Sequence, residues 1–202
     1  LFILFSMIVL LSLSFLKKDY KEFIIDINNR ESFLIDEDIN YLIKGTLKDS
    51  SSKGLFNIEK KINGNSYIKK TEVFANLNNK ILINVDQYKP FARLINQKGR
   101  DYYIDFNGEI FPTSTIYSER VLLVNFYDTK ITKEKNIKFF QKGDKIFKLI
   151  KYINNDDFWR KQITQINILK DGDIIMIPQI TKQKIYFGDT QEIDLKFKKL
   201  LL

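Results

Sequence analysis

Short runs in which apolar and polar residues alternate fill most of this chain, and only a few windows repeat at helical spacing. Phe23-Ile24-Ile25-Asp26-Ile27 is rich in β-formers and stops at Asn28-Asn29, so it reads as a strand. Ile39, Leu42 and Ile43 share one face of a helix beginning near Asp36, where Glu37 and Asp38 suit the positive N-terminus. Gly45 closes that helix, and Asp49 to Gly54 form a polar loop. A second helix runs from about Asn57, its N-cap, buries Ile58 and Ile62, and ends at Gly64. Tyr67–Val73 and Ile81–Pro90 then make a hairpin around Asn78-Asn79. Ile81, Ile83 and Val85 face one side of it, and Leu82, Asn84 and Asp86 the other. Two helices laid on one face of these three strands give a β-α-α-β-β layer.

Beyond Pro90, which cannot donate to a strand ladder and marks a bend, the pattern is mostly β. Candidate strands are Phe91–Asn96, Tyr102–Asp105, Glu109–Phe111 and Val121–Phe126. Phe139–Asn154 carries Ile146, Leu149, Ile150 and Ile153 at helical spacing, with Gly143 weakening its start. Asn155 or Asp156 caps a short helix through Phe158 and Trp159. Ile163–Leu169 and Ile174–Pro178 form a hairpin whose turn, Lys170-Asp171-Gly172-Asp173, suits positive φ. Lys184–Phe187 is one more strand. Asp189-Thr190-Gln191-Glu192 resembles a capping box ahead of a last helix that buries Ile193, Phe197, Leu200 and Leu201.

Leu1 to Leu16 differs from everything after it. It holds thirteen apolar residues and three serines without a charge, and Lys17-Lys18-Asp19 ends it. A membrane-spanning helix needs about 20 apolar residues, so residues 1–17 are expected to be the remainder of a span whose start lies upstream. A cleaved signal peptide with Ser12-Leu13-Ser14 at its cleavage site is the competing reading. A retained anchor fits better, because signal cores are usually about 7–15 residues long. Lys17, Lys18 and Lys21 by themselves favour a cytoplasmic flank.

The formal charge is +8, from 33 basic and 25 acidic residues. Residues 51–100 hold 10 Lys/Arg against 3 Asp/Glu, which is where the excess lies. These lysines alternate with apolar residues, as on a solvated face, so the charge does not point to nucleic acid. No cysteine and no histidine occur. Disulfides, zinc–thiolate sites and thiol nucleophiles are thereby excluded, and the usual neutral-pH proton carrier is missing. Ser50, Ser51 and Ser52 sit in a loop without a strained elbow. Asp156-Asp157 reads as a helix cap and Asp171-Gly172-Asp173 as a turn, the latter without the closing Glu of a calcium loop. Lys142-Gly143-Asp144-Lys145 lacks the spacing of a phosphate loop. Trp159, Tyr102, Tyr103, Tyr152 and Tyr186 read as sheet or core residues. Neither a catalytic residue, a cofactor, a metal site nor a small-molecule substrate is expected.

The helix, strand, hairpin and strand from Ile58 to Pro112 resemble the POTRA domain, and the start of the β domain after it, in the bacterial cell-division family FtsQ/DivIB. Val85, Gln87, Pro90 and Ala92 match the family's Val-x-(Glu/Gln)-x-x-Pro-x-Ala signature, and Asp105 and Gly108 match its Asp-x-x-Gly turn. Tyr186-Phe187-Gly188-Asp189 and the last helix resemble its C-terminal region. The resemblance implies an α+β protein: a partial membrane helix over 1–17, a POTRA-like β-α-α-β-β module over 20–90, and a mostly antiparallel β domain with flanking helices over 91–202. Members usually continue into a further terminal strand, which the sequence to Leu202 does not reach, so truncation at both ends or a shortened lineage is expected. Gln87 stands where many relatives have Glu, which removes any ion pair made there.

The same resemblance implies a non-catalytic scaffold of the septum, held in the inner membrane with its body outside the cytoplasm. Expected partners are FtsB- and FtsL-like coiled-coil proteins, septal wall-synthesis factors and membrane lipid. Pairing through an exposed strand edge is the expected mechanism. The family's pairing edge is its terminal strand; Lys184, Ile185, Tyr186 and Phe187 are the candidate contacts beside it. An outer-membrane assembly or secretion factor that binds client peptides and a cell-envelope enzyme are the alternatives. The first calls for tandem POTRA units or a barrel, and the second for converging titratable groups.

Overall fold

Strands and helices fall into two compact units, residues 1–88 and residues 89–202, each built on its own sheet. The computed structural model describes residues 6, 22–28, 33–44, 52–78, 80–96, 99–126, 134–140 and 142–202. The expected span over 1–17, the closing Gly45 and residues 49–51 of the polar loop lie outside the described residues, apart from Ser6. Among the described residues no helix is long and apolar enough to cross a membrane.

In the first unit the order is β1 (Glu22–Asn28), α1 (Asp36–Ile43), α2 (Ser52–Asn63), β2 (Ile68–Ala75) and β3 (Lys80–Gln87), which is the expected β-α-α-β-β order. The sheet runs β1-β3-β2, with β1 parallel to β3 and β2 antiparallel to it. A parallel neighbour needs a crossover, and the two helices supply it. Alternation in β3 puts Ile81, Ile83 and Val85 inside, at 2% exposure or less. Ile39, Ile43, Ile58 and Ile62 are buried with them, so each helix presents its apolar stripe to the core. The second helix begins at Ser52, five residues before the expected Asn57. Gly54 is buried there, so packing overrides the loop-like local composition.

Gln87 ties this unit together. Its Oε1 accepts from the backbone N–H groups of Phe33 and Leu34 at 3.1 and 2.9 Å, and its Nε2 donates to the Leu34 carbonyl at 2.9 Å. One amide thus satisfies three groups in the segment leading into α1. Its partners are backbone rather than a cation. A carboxylate could accept the two N–H bonds but would set its second oxygen against the Leu34 carbonyl.

The second unit contains β4 (Ala92–Ile95), β5 (Tyr102–Ile104), β6 (Ile110–Pro112), β7 (Leu122–Phe126), a 3-10 turn (Ile137–Phe139), α3 (Gly143–Asn155), α4 (Asp157–Gln162), β8 (Ile163–Ile168), β9 (Ile174–Pro178), β10 (Ile185–Gly188) and α5 (Ile193–Leu200). Its seven strands are ordered β10-β9-β8-β7-β4-β5-β6. Most pairs are antiparallel, as expected; β4–β7 and β7–β8 are parallel. One face is covered by Ile146, Phe147, Leu149, Ile150 and Ile153 of α3, with Trp159 and Phe197. The expected helix over Phe139–Asn154 is broken into the 3-10 turn and α3. Gly143 opens α3 because a Cβ there would lie 1.9 Å from the Ile137 carbonyl oxygen. Asp156 caps α4, accepting from the N–H groups of Phe158 and Trp159. Gly172 takes the positive φ expected of its turn, +98°.

Replacing Gln87 with Leu keeps the volume but strands three backbone groups, so chemical denaturation should show a loss of about 1–3 kcal/mol. An unchanged midpoint would mean the clamp contributes nothing.

Candidate functional site

A sheet's edges are its reactive parts, because each carries unpaired backbone N–H and C=O groups. The edge at β6 is closed. Pro112 removes one donor. The Ile110 N–H donates to the Lys135 carbonyl and the Ile137 N–H to the Gly108 carbonyl, each at 2.9 Å, and Glu109 bridges Asn136. Asp105 shapes the turn behind it, its buried Oδ1 accepting from Asn107 and Glu109 N–H at 2.8 and 2.9 Å.

The edge at β10 is different. Among the described residues its strand partner is β9 alone. Of the four candidate contacts, Lys184 is exposed beside the strand and Tyr186 points outward at 80% exposure. Ile185 packs against the core and Phe187 is buried in it, at 6%. Strand alternation therefore divides the four: Tyr186 and the backbone can meet a partner, whereas Ile185 and Phe187 hold the strand down. The strand is short and its register shifts between Tyr186 and Gly188, features that limit indiscriminate pairing.

What fixes β10 is a group of aromatic rings centred on Phe197 of α5. Phe197 stacks on Tyr152 of α3 at 4.5 Å, meets Trp159 of α4 at 4.7 Å and Phe187 of β10 at 5.1 Å. Sequence reading placed Phe197 on the buried side of its helix but gave no sign that it joins three elements. Burial, followed by the nearby Asp194 and Asp156 carboxylates, raises the Tyr152 phenol above its ordinary value.

The turn from β10 to α5 is held by charge. Asp189 accepts from Lys196 Nζ at 2.6 Å and from the Gln191 N–H at 3.0 Å. Lys196 also lies 5.1 Å over the Phe187 ring. The expected capping box is not formed. Glu192 occupies the N-cap position in a left-handed conformation, φ 47°, with no side-chain cap bond, while Asp189 serves the ion pair instead. The Lys196 bond, then the Gln191 N–H, lower the Asp189 carboxyl below the usual range. Among the described residues no group of three or more acidic side chains could hold a metal ion.

Phe197→Ala should destabilise the second unit by about 3–5 kcal/mol in denaturant titrations, and amide exchange at Ile185–Gly188 should speed up with it. Because the Asp189 carboxyl is depressed, its support for the turn is present above its unfolded value of about 3.9 and is lost as pH falls through the folded value. NMR titration should place the Asp189 midpoint below that of an unperturbed Asp, and Lys196→Met should move it up.

The profile of the family described as FtsQ/DivIB, C-terminal related, matches residues 89–202, which is the whole second structural unit and more than half of the chain. No curated protein matches the sequence. The signature and turn residues Gln87, Pro90, Ala92, Asp105 and Gly108 flank or lie within the matched unit, and the chain belongs to the FtsQ/DivIB family of bacterial cell-division proteins.

Proposed function

We propose that this chain is a non-catalytic scaffold of the division machinery that works by pairing the β10 edge with an extended segment of a partner. The observation that carries the reading is the contrast between the two edges of the seven-stranded sheet. One is sealed by Pro112 and the segment around Lys135–Ile137, and the other presents backbone beside an outward Tyr186. An edge strand adds affinity through main-chain bonds, and a neighbouring side chain adds selectivity. Membership of a non-enzymatic division family supports the same reading.

The remaining parts of the proposal follow from the sequence. Residues 1–17 act as a single inner-membrane anchor, the body lies on the extracytoplasmic side, and residues 20–90 act as a POTRA-type module. FtsB- and FtsL-like coiled-coil proteins are the proposed partners, with septal wall-synthesis factors recruited afterwards. A family of division proteins is the support for these partners.

Tyr186→Ala in the full chain tests the reading. An outward aromatic at a pairing edge has hot-spot character, so partner affinity measured by titration should fall by about 1–2 kcal/mol. Stability should stay within about 0.5 kcal/mol of the parent, as for an exposed position. Depletion should give filaments without septa. Normal septation with loss of outer-membrane proteins would instead favour an assembly factor, and unchanged partner binding by the variant would remove the β10 edge from the account.

A further inference from the structure

A cleft of about 800 Å3 opens in the second unit where its central, parallel strands β4, β7 and β8 begin. Every residue lining it lies between Lys89 and Gln179, and none belongs to β10. Its charge is lopsided. Lys89, Arg93, Arg120, Arg160 and Lys161 line it against one carboxylate, Glu119, whereas the chain as a whole holds 33 basic to 25 acidic residues. Two of the five cations have partners: Arg93 holds Asp101 at 2.7 Å and Arg160 holds Asp157 at 2.6 Å. Lys89, Arg120 and Lys161 make no ion pair among the described residues.

The cleft is also braced and partly apolar. With its amide turned to satisfy both ends, Gln179 accepts from Arg120 at 3.1 Å and donates to the Lys161 carbonyl at 2.7 Å. Asn154 at the end of α3 donates to the Phe91 carbonyl at 2.8 Å, fixing the wall that leads into β4. Pro90, Leu122 and Ile163 are buried apolar members of the lining. A phosphate-selective site would gather donors around one point and remove some of them from water. Here the cations come from separate segments and stay exposed or half-exposed, spread around apolar residues.

We propose that this cleft docks an acidic peptide segment of a partner protein. Its carboxylates would meet Lys89, Arg120 and Lys161 while an apolar side chain contacts Pro90, Leu122 and Ile163. Rim charges of this kind set recognition and association rate more than raw affinity, and salt screens them. The site goes beyond strand pairing at β10, and either can fail without the other.

The test is fluorescence anisotropy on the full chain with a labelled peptide alternating Glu and Leu. A peptide with Lys in place of Glu is the charge control, and inorganic pyrophosphate is the competitor. The acidic peptide should bind more tightly than its Lys counterpart. Binding should weaken as salt rises above about 0.1 M, where the screening length is about 10 Å. Arg120→Glu combined with Lys161→Glu should lower affinity at least about tenfold, with Arg120→Gln giving a smaller loss and Tyr186→Ala none. Both cleft positions are exposed, so unchanged thermal melts will confirm that the variants fold. Three results would each overturn the proposal: displacement of the peptide by pyrophosphate at equal or lower concentration, a loss produced by Tyr186→Ala instead of the cleft variants, and equal binding of the Lys peptide.

Discussion

Phe197 is the residue on which the β10 edge depends. An edge strand with one neighbour gains half the ladder bonds of a central strand, so its position must come from side chains. Phe187 supplies that anchorage by burying its ring against Phe197, which Tyr152 and Trp159 hold from α3 and α4. Full burial of one aromatic side chain contributes about 1.5–3 kcal/mol, and each ring pair about 0.5–1.5 kcal/mol more. Three such pairs converge on one ring. The Asp189–Lys196 pair then fixes the turn between the strand and the helix that carries Phe197. Packing on the inner face thereby holds β10 in place while, among the described residues, its outer edge has no strand partner, the state that strand addition requires.

The first unit depends on a different device. Its β1–β3 pairing is parallel, so the chain must leave the sheet, form two helices and return. Gln87 at the end of β3 secures the start of that excursion through Phe33 and Leu34. An amide suits the place because it offers an acceptor and a donor together. The position was legible in the sequence as part of a signature; its role was not, because the backbone it bonds lies more than fifty residues earlier.

Alternation and helical spacing carried much of the fold. Ile81, Ile83 and Val85 are inside, Ile146 to Ile153 form the buried face of α3, and Asp156 caps α4 as the residue pattern indicates. Leu200 and Leu201, expected on the buried side of the last helix, are 40% and 62% exposed, and three further expectations fail against packing or pairing. Ser52 to Gly54 look like loop but are helical because packing buries Gly54. Asp189 looks like part of a cap, yet Lys196 seven residues on captures it. The helix expected from Phe139 is interrupted where the Ile137 carbonyl meets Gly143. In these three a burial or a side-chain contact outweighs the local preference. The candidate site was legible as a strand, and alternation then separates Tyr186 from Phe187. That β6 and β10 are the two edges follows only from strand order, which period-two patterning does not encode. The basic cleft escaped for the same reason, since its cations are scattered from Lys89 to Lys161.

Amide hydrogen exchange on the full chain, with and without a coiled-coil division partner, tests strand pairing at β10 most directly. The account predicts new protection across Ile185–Gly188 when the partner is added, with Ile110–Pro112 unaltered. Protection elsewhere on the molecule, with Ile185–Gly188 exchanging as fast as in the free chain, would contradict it.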